Sequence, residues 1–148
     1  MSQSVLHDVP LVAASVGESA TFADASAALA AGRVPAIAVL DAQERVVGLF
    51  ASENLLRGLF PPYLEDLRHT AFAPDDVEAL AQRNADVAGE LVTKHMRKPI
   101  SVELGSSALH VAERFLHCDL AAIAVVEEEK FVGMLDRAAF CRAMLGRF

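Results

Sequence analysis

Long hydrophobic runs are missing from this chain. No apolar stretch approaches the roughly 20 residues that a membrane-spanning helix needs, and the opening residues MSQSVLHDVP have neither a basic start nor an apolar signal core. Both features lead us to expect a cytoplasmic location and no membrane partner. Basic clusters are missing too. The formal charge is −7, and phosphate neutralisation needs several lysines and arginines on one face, so no nucleic-acid or anionic-membrane footprint is expected. Cysteine is scarce: Cys118 and Cys141 stand in no metal-like spacing and read as small buried hydrophobes in a reducing compartment. No two histidines lie three or four residues apart. His110 and His117 share a helix face but are separated by roughly 10 Å of axial rise, too far to grip one ion, so no metal site is expected. Nor is there a glycine-rich phosphate loop or a nucleophile elbow, and we expect no catalytic residues and no enzyme activity.

What the chain does have is apolar material and an internal copy. Hydrophobic residues make up 53% of 148 positions, ample for one domain or for two small halves sharing a core. The stretch from Val34 to Leu56, VPAIAVLDAQERVVGLFASENLL, returns in degenerate form from Leu120 to Cys141, LAAIAVVEEEKFVGMLDRAAFC. Ile37 falls on Ile123, and Ala36, Ala38 and Val39 fall on Ala122, Ala124 and Val125. Past a turn that is one residue shorter in the second copy, Val47 falls on Val132, Gly48 on Gly133 and Arg57 on Arg142. Register kept through a turn, a glycine and a following helix indicates duplication.

Read in order, Val9 to Val16 is apolar enough for a short strand, with Pro10 preventing a helix from continuing into it. Thr21 opens a helix whose buried face is Phe22, Ala25, Ala28 and Leu29, and Gly32 is expected to supply its left-handed stop. Val34 to Leu40 is a nearly unbroken apolar strand, which implies cover on both faces. Asp41 to Glu44 turns the chain into a returning strand, Arg45 to Phe50, and a helix from Ser52 to Leu59 ends at Pro61-Pro62. Pro61 to His95 shows no counterpart elsewhere in the chain. It offers one helical turn at Tyr63 to Leu67, a capping-box pair at Asp75 and Glu78, a polar interruption at Gln82 to Asp86 and a last helix at Val87 to His95. This segment reads as a helical spacer; were it a lid over a site, Arg68, His69 and Arg83 would be its residues of interest. The second copy repeats the order: a strand at Ser101 to Glu103, a helix near Ser107 with Leu109, Ala112, Phe115 and Leu116 inward, strands at Leu120 to Val126 and Lys130 to Leu135, and a closing helix from Arg137 to Leu145. The expected division is residues 1–60, a connector 61–95, and residues 96–148.

The stretches Val47-Gly48-Leu49-Phe50-Ala51-Ser52-Glu53-Asn54 and Val132-Gly133-Met134-Leu135-Asp136-Arg137-Ala138-Ala139, with Met96 to Val102 (MRKPISV) leading into the second copy, resemble the cystathionine beta-synthase (CBS) domain pair, or Bateman module. The resemblance implies an α/β (α+β) fold: tandem CBS repeats, each strand, helix, strand, strand, helix, packed sheet against sheet in pseudo-two-fold symmetry. It implies a non-catalytic regulatory module with an adenosine-containing ligand, AMP, ADP, ATP or S-adenosylmethionine, in a cleft between repeats. It also implies a homodimer built through the repeat-terminal helices. The alternative on the same fold is a dimerisation or interaction module with degenerate, empty clefts.

In that family a hydroxyl where the strand opens into its helix suits a phosphate, and a carboxylate three residues on takes the ribose hydroxyls. Carried onto this chain, the candidate ligand-binding residues are Ala36, Gly48, Ala51, Ser52 and Asn54 in the first copy, and Ala122 and Asp136 in the second. Ala51 replaces the hydroxyl, with Ser52 one residue late, and Asn54 offers one carbonyl acceptor in place of a carboxylate. Asp136 would repel a phosphate and Ala139 offers a sugar nothing, which favours the first copy as the binding one. Each residue also has a structural role open to it: Ser52 and Asp136 as helix N-caps, Asn54 as a surface helix residue, Gly48 and Gly133 as points of close packing or a bulge.

Overall fold

The structure, a computed structural model, describes residues 5–60 and 77–147. The first copy folds as β1 (Ser15–Gly17), α1 (Phe22–Gly32), β2 (Ala36–Leu40), β3 (Val46–Ala51) and α2 (Ser52–Leu59). After α3 (Val77–Ala88), the second follows as β4 (Ser101–Glu103), α4 (Ala108–Leu116), β5 (Ala122–Glu127), β6 (Lys130–Asp136) and α5 (Arg137–Leu145). Each copy forms a three-stranded sheet, in the orders β1-β2-β3 and β4-β5-β6. The central strands are the two apolar runs, and because both faces of each are covered, Ala36, Ile37, Ala38, Val39, Ala122, Ile123, Ala124 and Val125 are all fully buried.

The duplication holds at the level of hydrogen-bond register. Ser15 pairs with Ala38 as Ser101 pairs with Ala124, both parallel. Ile37 faces Phe50 as Ile123 faces Leu135, and Val39 faces Gly48 as Val125 faces Gly133, with a bulge just after each glycine pair. Outward from the sheets, Phe22, Ala25 and Leu29 cover the first, and Val111, Phe115 and Phe140 cover the second. Their inner faces meet, so that Ala122, Ala124 and Met134 join the core of the first half.

Helix α1 starts as its sequence predicts. Thr21 Oγ1 accepts from Asp24 N at 3.1 Å and Asp24 Oδ2 accepts from Thr21 N at 3.3 Å, a reciprocal cap. Its stop differs: the left-handed residue is Arg33 (φ 53°), not Gly32. Gly32 is instead a close approach, since a Cβ there would lie 2.9 Å from Ala14 Cβ.

The larger departure concerns the residues that lead into each copy. Of the expected Val9 to Val16 strand only Ser15 and Val16 pair in their own sheet, which runs on to Gly17; the chain up to Val12 crosses to the other half. Val12 exchanges backbone hydrogen bonds with Met134 (Val12 N to Met134 O 3.0 Å, Met134 N to Val12 O 2.7 Å). Arg97 does the same with Leu49 (Arg97 N to Leu49 O 2.9 Å, Leu49 N to Arg97 O 3.0 Å). Ahead of each bridge is a short 3-10 turn, Val5–His7 and Val92–Lys94. Leu6, at 1% exposure, packs into the second half's core and Val92, at 0%, into the first's. Burying Leu6 contributes about 1.5–3 kcal/mol. The reading of 61–95 as a stretch without counterpart is thus corrected at its end: Val92–Lys94 is the internal equivalent of Val5–His7, and each half is clasped by the lead-in of the other.

Three helix assignments are also corrected. The polar residues Gln82 to Asp86 do not interrupt a helix but lie inside α3, most of them facing solvent, and the expected Val87 to His95 helix is the end of α3 followed by the 3-10 turn. In α4 the inward residues are Val111 and Phe115, while Leu109 and Leu116 are 84% and 82% exposed; Phe115 stacks near Phe140, ring centroids 5.9 Å apart, and this orients the helix. On α5, Phe140 takes the core position and its neighbour Cys141 is exposed, not buried as expected. The readings placed on Pro61-Pro62, Tyr63 to Leu67, Arg68, His69 and Asp75 fall outside the described residues.

Candidate functional site

Strand-to-helix junctions are where this fold brings the candidate residues together, one junction per copy. At the first, antiparallel pairing sets Ala36 beside Ala51. Both are buried, at 0% and 4% exposure, so they offer small volume and backbone groups. Pairing that extends to Ala51 makes this residue, not Ser52, the N-cap of α2, which corrects the capping role expected for Ser52. Ser52 is the first helical residue; its side chain is exposed and its N–H donates to the Pro35 carbonyl at 3.1 Å. Alanine has no side-chain acceptor, so only the reverse half of a cap forms: Asn54 Oδ1 accepts from Ala51 N at 2.8 Å. The one carbonyl acceptor of Asn54 therefore already has a backbone partner, and its amide nitrogen is the group left to meet a ligand.

At the second junction Ala122, fully buried, pairs with Asp136. Here the cap forms in the usual sense, Asp136 Oδ2 accepting from Ala139 N at 3.0 Å, as the sequence predicts for Asp136. Arg137 N donates to the Ala121 carbonyl at 2.8 Å, the counterpart of the Ser52 to Pro35 bond. A cleft of about 500 Å³ opens beside this junction, lined by Pro10, Asp136, Ala138, Ala139, Arg142 and Ala143. Its walls are mostly methyl groups, with one carboxylate and one guanidinium. The structure therefore gives the second junction an open recess.

The first junction is filled differently. Where the second has Ala138, the first has Glu53, and the Arg97 guanidinium reaches it, Nη1 lying 3.3 Å from Glu53 Oε1. The same guanidinium places Nη2 2.9 Å from Asp119 Oδ1, in the loop between α4 and β5. Arg97 holds the Asp119 carboxyl below its ordinary pKa, through its hydrogen bond first. Neither Arg97 nor Asp119 was singled out as a site residue in the sequence; the signal available was Arg97 in the MRKPISV lead-in, and nothing short-range marks Asp119 as its partner.

Gly48 and Gly133 serve packing. A Cβ on Gly48 would come within 2.9 Å of both the Arg97 carbonyl oxygen and Met96 Cγ, and closer still to Met96 Sδ. A Cβ on Gly133 would lie 2.8 Å from Leu11 Cβ. Each glycine lets the crossing lead-in pass over the strand, the close-approach role weighed for it from sequence.

A second charged recess, about 590 Å³, lies where α2, α3 and the 3-10 turn meet, with Gly58, Arg83, Asp86, Glu90, Lys94 and His95 in its lining. Glu90 accepts from Lys94 at 2.5 Å, and this hydrogen bond is the main reason its carboxyl sits below the ordinary range. His95 lies edge-on to Phe22, centroids 4.8 Å apart, with Nε2 3.5 Å from Glu90. His110 and His117 both approach Glu113, at 3.7 and 4.0 Å; no group of three metal-ligating side chains occurs among the described residues.

Residues 88–146 match the family model of the CBS domain. No curated protein sequence matches the chain. Among solved structures, a CBS-domain protein of unknown function from Kribbella flavida superposes with a TM-score of 0.75 at 21% identity, covering 97% of this chain and 99% of that one. The CBS-pair protein CBSX2 from Arabidopsis thaliana gives 0.73 at 20% identity, covering 99% and 97%. CBSX2 in complex with AMP gives 0.68 at 21% identity, covering 99% and 98%. Residues 88–146 are thus similar to a CBS domain, and the chain as a whole has the fold of a CBS-domain pair.

Proposed function

We propose that this chain is a non-catalytic regulatory module that takes an adenosine-containing ligand, AMP, ADP, ATP or S-adenosylmethionine, in a cleft between its repeats. The carrying observation is the duplicated strand-to-helix junction within a fold shared with CBSX2, whose complex with AMP has the same architecture. The binding residues in this reading are Ala36, Gly48, Ala51, Ser52 and Asn54 at the first junction and Ala122 and Asp136 at the second, on a chain divided at 1–60, 61–95 and 96–148. Ser52 supplies an exposed hydroxyl for a phosphate. Asp136 opposes a phosphate at the second junction and suits a ligand bearing positive charge there. In this reading the module acts in the cytoplasm; no helix among the described residues is long and apolar enough to cross a membrane. Thermal melting against a panel of adenosine compounds tests the proposal: binding to the folded state raises Tm with concentration, and no shift at millimolar ligand would sink it.

A second reading, a homodimerisation module, is favoured by apolar surface on the repeat-terminal helices: Leu56 on α2 is 59% exposed and Leu145 on α5 is 81% exposed. A pair of copies burying both would remove them from water. Sedimentation showing a monomer at every concentration would eliminate this reading.

A further inference from the structure

Arg97 is held by carboxylates from both halves: Glu53 on the first turn of α2 and Asp119 just ahead of β5. Its main chain is fixed by the paired bonds to Leu49, and its side chain is only 25% exposed. The two carboxylates are held loosely by comparison, with side chains 45% and 73% exposed. Arg97 Nε is buried and has no hydrogen-bond partner, and the two terminal nitrogens face partly exposed carboxylates that water readily replaces. The other copy has no such arrangement, since Val12 stands in the place of Arg97 and Ala138 in the place of Glu53.

We propose that Arg97 is a displaceable counter-ion at the first junction: bound to Glu53 and Asp119 in the empty chain, it turns to an anionic group of the ligand and lets Asp119 go. This rests on the ligand-binding reading above and narrows it to phosphate-bearing nucleotides, because the two terminal nitrogens of a planar guanidinium can meet phosphate oxygens in a bidentate pair that adenosine alone cannot offer. It also gives the module a means of transmission. Asp119 belongs to the loop feeding the central strand of the second half, so loading the first junction changes what that loop is tied to. The lowered pKa of the Asp119 carboxyl accords with its serving as the resting partner.

The test is calorimetric titration of the full chain with AMP, adenosine and pyrophosphate, using Glu53→Gln/Asp119→Asn, Arg97→Met and Arg97→Lys, each checked for folding by circular dichroism. Removing the competing carboxylates should tighten AMP by about fivefold, the scale of a partly exposed ion pair, and leave adenosine unchanged. Arg97→Met should erase the preference for AMP over adenosine, and Arg97→Lys should restore part of it. If AMP binds and all variants bind it alike, the counter-ion role is overturned while the nucleotide reading stands. If no adenosine compound binds the unaltered chain or the double variant, the nucleotide reading falls and pyrophosphate decides the rest. Binding to Glu53→Gln/Asp119→Asn that Arg97→Met removes upholds the role of Arg97, and no binding overturns it.

Discussion

Gly48→Ala is the substitution that most directly probes how the two halves hold each other. The added methyl would sit 2.9 Å from the Arg97 carbonyl oxygen, a backbone atom tied to Leu49 N at 3.0 Å, and against Met96 as well. Met96 can swing aside, but the carbonyl cannot move without breaking the bridge. Overpacking of this kind costs about 1–3 kcal/mol. Gly48 has no positive φ, so alanine is conformationally acceptable and recovers about 0.4–1 kcal/mol by restricting the unfolded chain. The net loss expected is about 0–2.6 kcal/mol, a drop of up to about 10 °C in Tm for a chain of this size. Gly105→Ala is the control, because a Cβ there meets nothing within 4 Å; it should leave Tm unchanged or raise it slightly. Adding Met96→Ala to Gly48→Ala should recover little, since the backbone clash persists. Urea denaturation and scanning calorimetry of the three variants provide the measurement. A Gly48→Ala protein as stable as Gly105→Ala would refute the close approach and, with it, the clasp between halves.

Other outcomes follow from burial and charge. Leu6→Ala should cost about 2–4 kcal/mol in urea denaturation, because Leu6 fills the second half's core at 1% exposure, whereas Leu109→Ala, at 84% exposure, should stay within about 0.5 kcal/mol for the monomer. The Asp119 carboxyl is held below its ordinary pKa by Arg97, so its contribution is present above the ordinary carboxylate range and is lost as pH falls through the lowered value. Asp119→Asn should therefore flatten the acid limb of the Tm-against-pH curve relative to the parent. Exposed Cys141 should react with a thiol reagent in the native protein faster than half-buried Cys118, and equal rates would contradict the α5 orientation.

Much of this architecture was legible in the amino-acid order. The repeat, the element sequence and the central strands follow from short-range pattern, since the apolar runs and the turns between them lie close along the chain. The strand pairing that results is the same in both copies, with Ile37 opposite Phe50 and Ile123 opposite Leu135. Capping at Thr21 and Asp136 was equally local, resting on side chains within three residues of the groups they satisfy. The shift of the α2 cap from Ser52 to Ala51 was not, because it depends on how far β2 extends the pairing.

The chain by itself determined that there are two like units and what each is made of, since every residue involved lies close along the backbone to those it must match. Only tertiary packing decided that the lead-in segments trade places, that Leu109 and Leu116 face outward, and that Arg97 joins Glu53 to Asp119. The lead-ins carry no helical or strand period to announce where they go. Their positions are set by which apolar side chains fill the other half's core, and that choice is made only when distant parts of the chain meet.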